Sequence, residues 1–421
     1  MRIIISFAAL MLSIVFLQLS TGGLGPLDAL SGVILGFSSS EIGMLGSAHF
    51  FGFFIGCWWA PRLMGAIGHS RGFATFAALG LIGILGHTLS NQPIIWIALR
   101  VFSGLSVAGC YSIIEAWIQA KLKNQNRGRS LGAYRLVDMG ASLFGQLLIS
   151  ILEPAHYLSY NILALICTAA LLPLTLTREK QPELPNAPKL RPIAAYMLSP
   201  LAVFAAIVAG LTGASFRMIG PIYGLQVGLE INQIALFLAA FVLGGAVAQY
   251  PIGWLADKFD RRWILILLSC AAICSSALTI MISDQGTIAI FLAALTFGFI
   301  TFPIYSIASA HANDFAEPKQ TVELSAALIF YFAVGAIGSP VLSAKLVELH
   351  GPNALFIFIA MAHAILVIVS IARMNVRPTT KVKTRYRYTP RTSFGIAKLI
   401  RKRCIFIKTA GSFWIISLIE S

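Results

Sequence analysis

"QYPIGWLADKFDRRWILILL", Gln249 to Leu268, sets two apolar runs on either side of a six-residue knot, DKFDRR, in which only Phe259 is uncharged. The rest of the chain is sparing with charge. Of its 421 residues, 57% are hydrophobic and 11% charged, whereas soluble domains carry roughly 25% charged residues. Apolar runs of about 20 residues recur from end to end, each long enough as a helix to cross a hydrocarbon core of about 30 Å. The chain reads as an all-α polytopic membrane protein, because the alternating short strands of a β-barrel are nowhere in the sequence.

Working outward from the knot gives about twelve spans, near residues 4–30, 40–60, 72–90, 94–119, 131–153, 157–177, 200–222, 233–254, 263–282, 286–310, 322–345 and 353–373. The apolar start is too long for a signal-peptide core and no small-residue cleavage site follows, so it reads as an uncleaved first span. Lys and Arg gather in alternate connections: Arg62 and Arg71, Lys121 to Arg129, Arg178 to Arg191, and Lys258, Arg261 and Arg262. Such a bias faces the cytoplasm. Both termini are therefore expected inside, in a multi-pass protein of the inner (plasma) membrane. The formal charge of +15 follows from this asymmetry and the tail, and implies no nucleic-acid partner. The six cysteines have no metal-binding spacing and read as buried small hydrophobes.

Thr177 to Pro200 is polar and rich in Pro, Lys and Glu, as a solvated linker is. It divides the spans six and six, and the halves resemble each other. Gly25–Leu27 answers Gly220–Ile222, Ser39–Gly56 answers Ile231–Ala248 at a shift of 192, and Tyr111–Ile113 answers Tyr305–Ile307 at a shift of 194. The expected organisation is a six-helix bundle over 1–177, a cytoplasmic linker over 178–199, a second bundle over 200–374 and a basic cytoplasmic tail over 375–421. Two such halves characterise one class of secondary transporter, with the substrate site between them.

Within that frame the knot follows span eight. Gly253, Asp257, Lys258, Arg261 and Arg262 resemble the G-x-x-x-D-[RK]-x-G-R-[RK] signature of the major facilitator superfamily, with Asp260 where the second Gly is usual. Its first-half counterpart keeps Gly68 and Arg71 but has Gly65 in the acid's place. Arg100 and Gly104 resemble the superfamily's fourth-helix R-x-x-x-G pattern. Glu115, Asn126 to Arg129, Gly132 to Tyr134 and Gly140 to Leu148 resemble the YcaD-like bacterial branch. The resemblance implies a secondary active transporter of a small solute, working by alternating access as a monomer without cofactors. Span five lacks the proline of the antiporter signature, which disfavours drug–proton exchange. In the signature, Gly253 is expected to let two helices approach, and Asp257 to form a charge latch that breaks as the halves rock. The plainer reading is that Lys258, Arg261 and Arg262 hold the loop inside.

Charges within spans are costly unless paired or wet, so they are the leading functional candidates. Glu115, Asp138 and Asp28 are candidate proton carriers; Arg135 lies at i, i–3 from Asp138, close enough to pair, and Glu115 lies at a similar depth, so a Glu115–Arg135–Asp138 cluster is expected. Glu115 and Asp138 are equally readable as members of a static helix-to-helix pair, and Asp28 as a marker of the end of its span. Arg217 is a candidate for an anionic group of the substrate or for pairing with Asp28. Arg135, Tyr111, His49, Tyr305 and His311 are candidate cavity residues, although a histidine in a core is more often simply hydrogen-bonded. Tyr223 and Gln226 are expected near the mouth below Arg217, and Arg100 either follows the family pattern or snorkels. The tail carries twelve Lys or Arg and no acid from Arg373 to Lys408, so it is expected on an anionic inner leaflet at about 1 kcal/mol per basic residue.

No metal motif, nucleophile elbow or phosphate loop is present, so no enzyme is expected. Proton-coupled transport of a small solute is the leading function. Proton-driven efflux of amphipathic compounds, or a sensor that kept the fold and lost transport, are the alternatives.

Overall fold

The computed structural model describes residues 2–121, 127–176, 190–317 and 320–376, together with Tyr386. Most of the expected linker, nearly all of the basic tail and Cys404 lie outside them. Every element is helical among the described residues: α1 (Arg2–Ile34), α2 (Ser39–Ile67), α3 (His69–Gly86), α4 (Pro93–Lys121), α5 (Arg127–Leu147), α6 (Tyr157–Ala169), α7 (Leu171–Thr175), α8 (Pro192–Leu198), α9 (Pro200–Gln226), α10 (Ile231–Lys258), α11 (Arg261–Met281), α12 (Thr287–Thr301), α13 (Pro303–Asp314), α14 (Thr321–His350) and α15 (Ala354–Val376). The sixth span is divided between α6 and α7. The tenth is divided between α12 and α13, at Phe302 and the helix-starting Pro303.

Eleven spans among the described residues are long and apolar enough to cross a membrane. The expected fifth span, α5, falls short by composition, because Arg127, Arg129, Arg135 and Asp138 dilute its apolar residues. It still packs along α1 and α10. Leu136 and Phe144 point outward, 77% and 62% exposed, while Asp138 is buried. That division of faces is what a charged span needs inside a bilayer.

The repeat seen in the sequence is a repeat of structure, down to its turns. Gly36 and Gly228, 192 apart, take the positive-φ conformation that ends α1 and α9. Capping boxes then start α2 at Ser38 and Glu41 and α10 at Glu230 and Gln233, again 192 apart. Helix crossings repeat as well. A Cβ on Gly52 would strike the Val101 carbonyl, and one on Gly104 would strike that of His49, so α2 and α4 touch backbone to backbone. Gly244 against Leu295 and Gly298 against Phe241 reproduce the crossing between α10 and α12. Small residues permit this approach, which is how helices associate where lipid offers no hydrophobic drive.

The two bundles meet along α2 and α14, α5 and α10, and α1 and α9. Near the end remote from the signature loop the approach is tight. A Cβ on Gly43 would overlap the Pro340 carbonyl, and the Ser40 hydroxyl donates to Glu348 at 2.5 Å. Large apolar side chains such as Leu165, Leu267 and Ile368 point outward, as lipid-facing groups do. Cys57, Cys110 and Cys167 are buried as expected; Cys270 and Cys274 are exposed, because the α11 face that carries them looks away from the core.

Candidate functional site

A cavity of roughly 150 Å³ lies between the bundles. The first half supplies Gln18 from α1, His49 from α2, Tyr111 from α4, and Arg135 and Asp138 from α5. The second half supplies Arg217 from α9, with Phe241, Phe302 and Phe332. The first-half wall thus sets its polar groups beside Phe50 and Phe53, and the second-half wall sets one guanidinium, Arg217, among phenylalanines. Phe302 reaches the cavity from the break between α12 and α13.

Asp138 is the most connected acid in the cavity wall. Its Oδ1 accepts from the Tyr111 phenol at 2.7 Å and from Gln18 Nε2 at 3.2 Å, and its Oδ2 lies 3.7 Å from Arg135. Arg135 lies closer to Glu115, at 3.0 Å, and the same Glu115 oxygen accepts from Tyr134 at 2.9 Å. The Arg135 guanidinium also covers the Tyr134 ring, 4.4 Å from its centroid. The expected cluster of Glu115, Arg135 and Asp138 therefore forms, with Asp138 and Arg135 on the cavity and Glu115 behind Arg135. Two carboxylates share one guanidinium, and the cavity-facing one has the longer contact.

His49 is held by Ser103, whose hydroxyl lies 3.1 Å from Nδ1. That hydroxyl donates its one proton to the Arg100 carbonyl at 2.8 Å. It must then accept from His49, which assigns the proton to Nδ1 and leaves Nε2 an acceptor. The cavity thus offers an acceptor at His49, an acid at Asp138 and cations at Arg135 and Arg217.

Other expectations need correction. Asp28 does not pair with Arg217. It is fully buried, 3.3 Å from Arg100 and 3.4 Å from His87, while Arg217 lines the cavity. Arg100 accordingly does not snorkel; it is 3% exposed. His87 donates from Nδ1 to the Gly83 carbonyl at 2.6 Å and stacks on Tyr160. Tyr305 is buried against Phe332, outside the cavity lining, and His311 lines a separate small pocket. Tyr223 is buried among Phe237 and Phe356, not at a mouth.

The signature loop also departs from expectation. Gly253 does not admit a second helix: its open side is filled by the ring of Tyr386, from the tail. Tyr386 donates its backbone N–H to Asp257 and its phenol to Gln249. Arg261 turns into the bundle, donating to the Ala310 carbonyl at 2.9 Å and to Asp314. Asp260, in the usual glycine's place, caps α11: it accepts from the Arg262 amide at 3.0 Å and grips the Arg262 guanidinium with both oxygens. Partial burial alone would raise the Asp260 carboxyl, but the Arg262 hydrogen bonds hold it below the usual carboxylate range.

Sequence reasoning overlooked Gln18, His87, Tyr160 and Tyr386, and met Tyr134 only as part of a family motif, without its bond to Glu115. Gln18 was the most accessible of these, as a lone amide in an apolar run. The others are joined to their partners only by tertiary contacts.

Paired six-helix bundles around a charge-lined cavity define a multi-pass membrane transporter. A sequence model of the Major Facilitator Superfamily matches residues 4–230 and again 202–420, and the chain belongs to that superfamily. An uncharacterized MFS-type transporter of Enterobacter sp. (strain 638) is 27% identical over 347 residues, 80% of this chain and 88% of its own length. The uncharacterized MFS-type transporter YcaD of Salmonella typhi is 27% identical over 342 residues, again 80% and 88%. Among solved structures, the nucleoside transporter NupG superposes with a TM-score of 0.73 at 13% identity, covering 88% of this chain and all of that one. The D-xylose-proton symporter superposes with a TM-score of 0.70 at 16% identity, covering 91% and 100%. At such identities the likeness is one of fold.

Proposed function

We propose that this protein is a secondary active transporter that moves a small solute through the central cavity by alternating access, coupled to protons. The observation that carries this reading is Asp138, buried on the cavity wall, whose one cation among the described residues, Arg135 at 3.7 Å, is held more closely by Glu115. A carboxylate so placed exchanges a proton as Arg135 shifts between the two acids or toward a bound solute. Arg217, facing from the other half, suits a carboxylate or other anionic group on the solute, and the phenylalanines suit an apolar body. The cavity is smaller than the roughly 300 Å³ at which sites for drug-sized ligands begin, which favours a small solute over an amphipathic drug.

By the distribution of Lys and Arg, the signature loop faces the cytoplasm of the inner (plasma) membrane. The Ser40–Glu348 and Gly43–Pro340 contacts then close the outer side. The bundles correspond to residues 1–177 and 200–374, and the protein works as a monomer. Proteoliposomes with an imposed pH gradient test the proposal, using a panel of small carboxylates and polar solutes. Asp138→Asn is expected to abolish gradient-driven uptake while solute exchange without a gradient persists. Full retention of gradient-driven uptake removes Asp138 as the proton carrier.

A further inference from the structure

A second, much smaller pocket lies away from the cavity, at the end of the second bundle that carries the signature loop. It is about 20 Å³ and is lined by Ser199, Leu201, Arg262, His311 and Arg373, where α9, α11, α13 and α15 converge. Ser199 is the N-cap of α9 but its side chain makes no capping bond. The residue is 3% exposed, and its hydroxyl has no hydrogen-bond partner. A buried hydroxyl in that position is costly unless something outside the protein satisfies it.

The surroundings indicate an anion. The first intrahelical bond of α9 runs from the Val203 amide to the Ser199 carbonyl at 3.2 Å, so the Leu201 and Ala202 amides precede it and point out of the helix start. A 27-residue helix adds its positive end at the same place. Arg373 lies in the last turn of α15 and has no carboxylate partner among the described residues. Arg262 also faces the slot, but its charge is largely engaged by Asp260. His311 completes the wall, against Phe315.

We propose that Ser199, the first amides of α9 and Arg373 form a binding site for one phosphate group. The slot has room for about one or two oxygen atoms, so the remainder of the ligand stays outside it. Its height is informative. The apolar span of α9 begins at Pro200 and that of α15 ends at Met374, which puts the slot at the edge of the hydrocarbon layer, where headgroup phosphates lie. A lipid phosphate and a free inorganic phosphate share the chemistry, and the lipid is the source that this height favours. Bound there, the phosphate ties the start of α9 to the end of α15, next to the signature loop and the start of α11.

Thermal unfolding of the full-length protein in detergent tests the site, with inorganic phosphate in one arm and phosphatidylglycerol or phosphatidylcholine in mixed micelles in the other. Wild type is expected to be stabilised by phosphatidylglycerol, with the apparent affinity falling roughly tenfold in Ser199→Ala and in Arg373→Gln. Ser199→Thr and Arg373→Lys should keep most of the response. A response to inorganic phosphate that both variants lose would instead make the free anion the ligand. Binding by the basic tail alone would leave the response the same in wild type and variants. That result, or no response in wild type, overturns the proposal and leaves the slot to water. Should Ser199→Ala fail to fold, Arg373→Gln carries the test, because its side chain is only partly buried.

Discussion

Arg261 binds Asp314 of α13 at 2.5 Å, more closely than it binds Asp257 at the end of α10, at 3.3 Å. The difference in burial is as large: Asp314 is 5% exposed at its side chain and Asp257 is 42%. Removing one member of a buried pair strands a charge, at a cost of about 3–5 kcal/mol, whereas an exposed pair contributes about 0–1 kcal/mol. Asp314→Asn and Arg261→Gln are therefore expected to lower the unfolding temperature sharply, and Asp257→Asn only slightly. Equal losses from Asp257 and Asp314 would return the acid of the signature to a structural role.

Asp28 and Arg100 make the same argument at the opposite end of the first bundle. Both are buried, so Asp28→Asn leaves a guanidinium without its carboxylate, at an expected cost of about 3 kcal/mol or more. Pairing Asp28→Asn with Arg100→Leu should recover part of that loss. A double-mutant cycle on thermal stability measures the coupling, and additive losses would show that the pair does not interact.

The repeated glycine crossings predict matched sensitivity in the two halves. Gly104→Leu and Gly298→Leu each force a side chain into a neighbouring backbone carbonyl, so each is expected to cost about 1–3 kcal/mol or to prevent folding. Gly65 has open space where a Cβ would lie, so Gly65→Leu should be tolerated. Yields of monodisperse protein after purification discriminate the three.

Asp260 should couple stability to acidity. Its carboxyl is lowered in the folded protein by Arg262, so its contribution is present above the unfolded carboxylate range and is lost as pH falls through the lower, folded value. Asp260→Ala removes both the cap and the pair, at about 1–2 kcal/mol, and should flatten this acid-side loss of thermal stability. Asp260→Asn can still cap α11, so it should cost less at neutral pH while flattening the loss equally.

The fold was legible because bilayer physics writes itself into composition. A helix must carry about 20 apolar residues to span, basic loops stay on one side, and a duplicated half repeats its glycines and caps at a constant shift. The expected fifth span is a helix, α5, packed against α1 and α10, but its charges keep it below the apolarity of the eleven candidate spans among the described residues. The cluster around Glu115, Arg135 and Asp138 was partly legible for a related reason: charges in an apolar run must find each other or water.

Which charges met was a different matter. Sequence spacing joins residues on one helix, and so it found Arg135 with Asp138. It carries nothing about how helices rotate against each other. The partners of Asp28 come from α4 and the turn after α3, the close partner of Arg261 comes from α13, and the open side of Gly253 is filled from the tail. The knot DKFDRR shows both sides of this. Its residue types placed it at a loop between spans and suggested its superfamily. Only packing turned Arg261 inward to α13, made Asp260 a helix cap, and left Asp257 to the tail, because burial rather than proximity in the chain determines which ion pair is worth most.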